Sequence, residues 1–132
     1  MSERQEFERQ EFERQEFERQ ELKPQEFEAA ITSLHDIRVT VDSVEGRSVC
    51  GMRVGDFCEV TNSNELRIPD DHHFCIYALQ SVLPLIPAKQ RDLPPGDWLE
   101  RDTLVACPDP EERLIMRIDR IGRVDLATDD LT

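Results

Sequence analysis

Pro69-Asp-Asp-His-His-Phe-Cys75-Ile-Tyr-Ala-Leu-Gln-Ser-Val-Leu-Pro84-Leu-Ile86 decides the fold. Cys75, Ala78, Leu79, Val82, Leu83 and Ile86 recur at steps of three and four, so they line one face at 3.6 residues per turn. The spacing predicts an amphipathic helix beginning around His72, with Asp70 or Asp71 as its cap. Pro84 has no amide hydrogen to donate and crowds the preceding turn, so the helix is expected to end or kink near Leu83.

Strand signals lie on both sides of this helix. Ile37, Val39 and Val41 alternate with Arg38, Thr40 and Asp42, the period of a half-buried strand. A second strand is read at 56–61, followed by the turn chemistry of Asn62-Ser-Asn64 and a short extended piece at 66–68. Beyond the helix, 89–102 is a polar loop containing Pro94-Pro95-Gly96. Residues 104–107 form a short strand, and 113–121 return as another. In the last of these Leu114, Met116 and Ile118 share one face, and Arg117 and Asp119 share the other with Ile115. The expected fold is α+β: a small antiparallel sheet, in the order strand-strand-helix-strand-strand, with the helix on one face.

Working outward, residues 3–21 repeat Glu-Phe-Glu-Arg-Gln with a period of five. Phe7, Phe12 and Phe17 advance about 140° per repeat on a helix and form no stripe, which excludes a coiled-coil seam. This low-complexity extension, residues 1–23, reads as a solvated helix or a disordered arm, with Arg9 and Glu13 at pairing distance if helical. A short amphipathic helix is expected over 24–35, from Pro24 at its first turn and Phe27, Ala30, Ile31 and Leu34 on one face. One domain then spans 36–122, and 123–132 is an acidic tail expected to be loose.

The chain of 132 residues carries a net charge of −13. Residues 1–30 contribute −5 and the remainder −8, so no region concentrates the Lys and Arg that phosphate contacts need, and nucleic acid is not an expected partner. No apolar run approaches membrane-spanning length, and the N-terminus is charged rather than apolar. The expectation is a cytoplasmic address, where the four cysteines stay reduced.

Chemistry concentrates in three places. Cys75 at the helix start is a candidate reactive thiol, because a helix N-terminus favours thiolate. Asp70 and Asp71 oppose that, and its place on the apolar stripe favours reading Cys75 as a small core residue. Cys107-Pro108-Asp109-Pro110 pairs a second thiol with Asp109, or with Asp102, as a base. A rigid turn in which Asp109 bonds the amides ahead of it explains the same residues. His72, Cys75, Cys107 and Cys50 form a mixed nitrogen and sulfur set suited to zinc or iron, with His73 adjacent, although no Cys-x-x-Cys pair is present. Cys58 is read as packing, and Trp98 as a loop anchor or a pocket wall. Gly-Lys-Ser/Thr, Gly-x-Ser-x-Gly and His-Glu-x-x-His motifs are absent.

Gly55-Asp56-Phe57-x-Glu59-Val60, then Cys75-x-x-Ala78-Leu79 with Leu83-Pro84, then Asp102 followed by Cys107-Pro108-Asp109-Pro110, resemble in this order a family of small uncharacterised prokaryotic proteins. In that family a cysteine also precedes the Gly-Asp turn, and Cys50 corresponds to it. The resemblance covers Ile37 to Ile121; it implies a compact fold and supplies no mechanism. The functional expectation is a binding or accessory domain, working with a protein partner or a second copy of itself. The rival is a small thiol- or metal-dependent enzyme using Cys75 and Cys107. The two divide on one observation: whether Cys50, Cys75 and Cys107 gather around a concave pocket or scatter through the core.

Overall fold

The computed structural model describes residues 2–21 and 30–132. The chain divides into two compact units, one of Met1–Thr32 with Ala127–Thr132 and the other of Ser33–Leu126. In the first, α1 spans Glu3–Glu21. Phe7 and Phe12 are exposed, and Arg4–Glu8 and Arg9–Glu13 pair one turn apart at 3.3 and 3.9 Å. Thr128 donates its amide to the Ala30 carbonyl, and the Thr32 and Thr128 hydroxyls meet at 2.8 Å.

The second unit is built on a five-stranded antiparallel sheet in the order β3-β2-β1-β5-β4. Its strands are β1 (Ile31–Val44), β2 (Phe57–Thr61), β3 (Glu65–Arg67), β4 (Leu104–Ala106) and β5 (Leu114–Ala127). Val39 faces Cys58 across β1 and β2, Val60 faces Leu66 across β2 and β3, and Val105 faces Met116 across β4 and β5. The strand period sorts the side chains. Ile37, Val39, Val41, Cys58, Leu114, Met116 and Ile118 are buried on one face. The opposite face is a lattice of charges: Arg38–Glu59 at 3.0 Å, Arg117–Asp42 at 2.6 Å, Arg117–Asp119 at 2.8 Å, and the Arg38 guanidinium 4.7 Å over the Phe57 ring.

The buried face is covered by α2 (Ile76–Val82), a 3-10 turn (Leu83–Leu85) and α3 (Ile86–Lys89), which insert Ala78, Val82 and Ile86 into the core with Phe74 and Met52. Each large aliphatic side chain buried there contributes about 1.5–3 kcal/mol. Beyond it, α4 (Trp98–Arg101) is capped by Asp97, whose carboxylate accepts the Leu99 amide at 2.9 Å. The loop between α3 and α4 is fastened from inside. Lys89 is buried and its ammonium donates to the Leu99 and Asp102 carbonyls, while Arg120 on β5 bonds the Lys89 and Arg91 carbonyls and both Glu100 oxygens.

Four expectations are corrected. The helix starts at Ile76, not near His72. Asp71 turns left-handed (φ 61°) and the His72 amide bonds Pro69, so Cys75 is the N-cap with an extended backbone and neither Asp70 nor Asp71 caps it. The break expected at Pro84 is present: α2 ends at Val82, one turn of 3-10 geometry follows, and α3 begins at Ile86. The extended piece at 66–68 is a true fifth strand: Asn62 and Ser63 both take positive φ, which closes a tight hairpin onto β2. Of the helix expected over 24–35, residues 24–29 lie outside the described residues, and Ile31 to Leu34 open β1 as strand. Leu34 reaches the core by alternation instead. The tail from Gly122 is likewise not loose, because β5 runs on to Ala127 and a 3-10 turn follows at Thr128–Leu131.

Candidate functional site

The site grows out of one close backbone approach. At the end of β1 the chain turns against the loop before β5: the Glu45, Gly46 and Arg47 amides bond the carbonyls of Arg113, Glu112 and Glu111. Only glycine fits at 46, since a Cβ there would lie 1.9 Å from the Glu111 carbonyl oxygen. This approach carries the segment after Gly46 over Glu112. Ser48 ties that segment to itself by donating to the Met52 carbonyl at 2.6 Å.

Glu112 is 2 % exposed. Its Oε2 accepts the Cys50 thiol at 3.0 Å and the Cys50 amide at 3.4 Å, and its Oε1 takes the Cys107 thiol at 3.6 Å. One carboxylate thus joins a thiol of the 48–52 loop to a thiol from the end of β4. The Cys-Pro-Asp-Pro turn presents it. The Asp109 carboxylate accepts the Glu111 amide at 2.9 Å, its carbonyl accepts the Glu112 amide at 3.3 Å, and Cys107 returns its own amide to Leu114. Cys75, the N-cap of α2, closes the third side, with its amide directed at the buried Met52 sulfur, 3.5 Å away.

Between these groups lies a cavity of about 530 Å³ lined by Cys50, Cys75, Cys107, Glu112, Asp109 and Tyr77, with Val49 and Pro108 as apolar wall. Its electrostatics follow from burial. Desolvation, then the bond to Glu112, pushes the Cys50 thiol above the usual cysteine range. Cys107 rises for the same first reason, with the Glu112 charge adding to it against the relief given by the Asp109 amide. Burial also acts on Glu112 and favours its protonated form. The Cys50 thiol and amide, the Cys107 thiol and the Val49 amide outweigh that and hold the carboxyl below its ordinary range. These directions favour an ionised Glu112 in contact with the neutral thiols of Cys50 and Cys107.

Cys50, Cys75, Cys107 and Asp109 are therefore brought together. His72 and His73 are not. They line a separate polar hollow of about 370 Å³ with Arg53, Asp56 and Asp71, where His72 Nδ1 lies 3.7 Å from the Asp56 carboxylate. His73 touches the first site only through the backbone, its Nε2 2.7 Å from the Cys50 carbonyl oxygen. The mixed set of His72, Cys75, Cys107 and Cys50 is thus divided between two hollows. Among the described residues no group of three or more His, Cys, Asp or Glu side chains is placed to hold a metal ion. Asp102 does not line the cavity; its side chain accepts the Leu104 amide. Cys58 is fully buried in the core, with its thiol pushed up to about 12 by desolvation. Trp98 opens α4 and is exposed.

Glu112 was missed as a site residue, yet its signal is in the sequence. Leu114, Met116 and Ile118 face inward with a period of two, and the same parity carried back two residues puts Glu112 on the buried side. All four cysteines are unpaired thiols. No helix among the described residues is long and apolar enough to cross a membrane. Comparison with family models, with curated proteins and with solved structures returns no match for this chain.

Proposed function

We propose that this chain is a binding domain whose three-thiol cavity takes a small ligand. The carrying observation is that Cys50, Cys75 and Cys107, from three different elements, share one concave space with a buried, ionised Glu112. A space of this volume with apolar walls and a few convergent polar groups is the ordinary form of a ligand site. The unpaired thiols fit a reducing, cytoplasmic setting. The exposed Ile76 and Tyr77 on the first turn of α2 fit an accessory role beside a protein partner or a second copy.

A thermal-shift screen of small molecules on the reduced chain, followed by mapped iodoacetamide labelling, tests the reading. Compounds that raise Tm are expected to slow labelling of Cys75 and Cys107 and leave the denatured-state labelling of Cys58 unchanged. If stabilising compounds leave the labelling of all three cavity thiols unchanged, the site is elsewhere.

The second reading is a thiol enzyme, and the 3.0 Å Cys50–Glu112 contact favours it, because a nucleophile beside a carboxylate base has the geometry that nucleophilic catalysis uses. It shifts the nucleophile from Cys75 to Cys50. Against it stands the raised Cys50 thiol, which leaves little thiolate at neutral pH.

A further inference from the structure

The cavity wall is chemically one-sided. It contains two carboxylates, Glu112 and Asp109, an aromatic ring, Tyr77, and apolar surface from Val49 and Pro108, and among the described residues no Lys, Arg or His lines it. The nearest basic side chains along the chain are engaged outside it: Arg47 pairs with Glu111 at 3.4 Å, and Arg113 donates to the Glu45 carbonyl at 3.2 Å. His73 lines the neighbouring hollow. The two Glu112 oxygens are unequally used. Oε2 takes both Cys50 donors at 3.0 and 3.4 Å, whereas Oε1 takes the longer Cys107 contact at 3.6 Å, and a carboxylate oxygen has room for two donors.

From this we infer that the ligand is a small organic cation: an ammonium or amidinium group on an apolar or aromatic body. The inference rests on the reading of the cavity as a ligand site and adds the charge of what fills it. The cationic N–H donors reach Glu112 Oε1 and form a charge-assisted bond with a carboxylate that is itself almost fully buried. Asp109, half-buried at the mouth, supplies a second negative charge on the path inward. Tyr77 lines the same space, and an aromatic ring there suits the cation or its apolar body. The Cys50 and Cys107 thiols keep Glu112 ionised while the site is empty, so the charge the ligand seeks is already in place.

The test uses the full chain, kept reduced, and three probes of matched shape: phenethylammonium, phenethyl alcohol and 3-phenylpropionate. Tyr77 is the only tyrosine and lines the cavity, so its ring resonances are read without overlap from another tyrosine. The ammonium is expected to shift them saturably and to slow iodoacetamide labelling of Cys75 and Cys107. The alcohol should bind at least about tenfold more weakly and the carboxylate more weakly still. Glu112→Gln is expected to bring ammonium and alcohol within about threefold of each other. Because Glu112 also holds the Cys50 loop, Asp109→Asn serves as the second variant. It keeps an acceptor for the Glu111 amide and should weaken the ammonium about threefold with the alcohol unchanged. If the alcohol or the carboxylate binds as well as the ammonium, the cation assignment is overturned and the cavity reading stands. If none of the three moves Tyr77 or protects a thiol, both are overturned.

Discussion

Glu112 is the residue on which the site turns. A carboxylate removed from water survives as an ion only when donors replace the lost solvent, and here two thiols and backbone amides do so. Glu112→Ala should cost about 1–3 kcal/mol by urea denaturation, since it strands the Cys50 and Cys107 donors and opens a void. Glu112→Gln keeps the shape and removes the charge that disfavours thiolate at Cys50. Labelling of Cys50 at pH 8 is then expected to be faster than in the unmodified chain, read by peptide mapping. A slower rate would instead make Glu112 a base toward Cys50 and favour the enzyme reading.

At the scale of elements, the β1 turn and the Cys-Pro-Asp-Pro turn are held face to face by three backbone bonds around Gly46. Gly46→Ala drives a methyl group into the Glu111 carbonyl and should cost about 1–3 kcal/mol, with increased labelling of Cys50 as its loop lifts from Glu112. At the end of α3, Lys89→Met keeps the buried stem and loses the ammonium that satisfies the Leu99 and Asp102 carbonyls. A loss of about 1–3 kcal/mol, with Trp98 fluorescence reporting looser packing of α4, is expected. The elements show what periodicity can and cannot reveal. Alternation at Ile37-Val39-Val41 and Leu114-Met116-Ile118 was legible because a two-sided strand must sort its side chains. The helix start was not, because His72 to Phe74 keep no period, and a left-handed Asp71 depends on the turn from Pro69. Ile31 to Leu34 satisfies both helix and strand spacing over so short a span, so periodicity alone does not separate the two. The gathering of Cys50, Cys75 and Cys107 was legible only as an alternative, since they lie on a loop, a helix cap and a strand end whose meeting is set by tertiary packing.

For the whole molecule, acid is the condition to test. Among the carboxyls held low in the folded chain are Glu112 by its thiol and amide donors, Asp92 at about 2 by His35 and Arg123, and Glu100 at about 2 by Arg120. A carboxyl lower in the folded than in the unfolded state adds stability that is fully present above the unfolded value and lost as pH falls through the folded one. Stability is therefore expected to be level from pH 7 to about 5 and to decline from there toward 2, followed by circular dichroism at constant ionic strength. Glu112→Gln should shrink that decline in part and leave the share that belongs to the exposed Asp92 and the Arg120-bound Glu100. A profile that is flat to pH 3 would contradict the bonding at all three.

Cys50 belongs to one hollow and Gly51 to the next, and the peptide between them is their common wall. Its carbonyl oxygen meets His73 on one side while the thiol and amide of the same residue hold Glu112 on the other. A molecule seated in either chamber tugs on the same few atoms. The amide signal of Gly51, one of only five glycines, is a ready-made listening post for both.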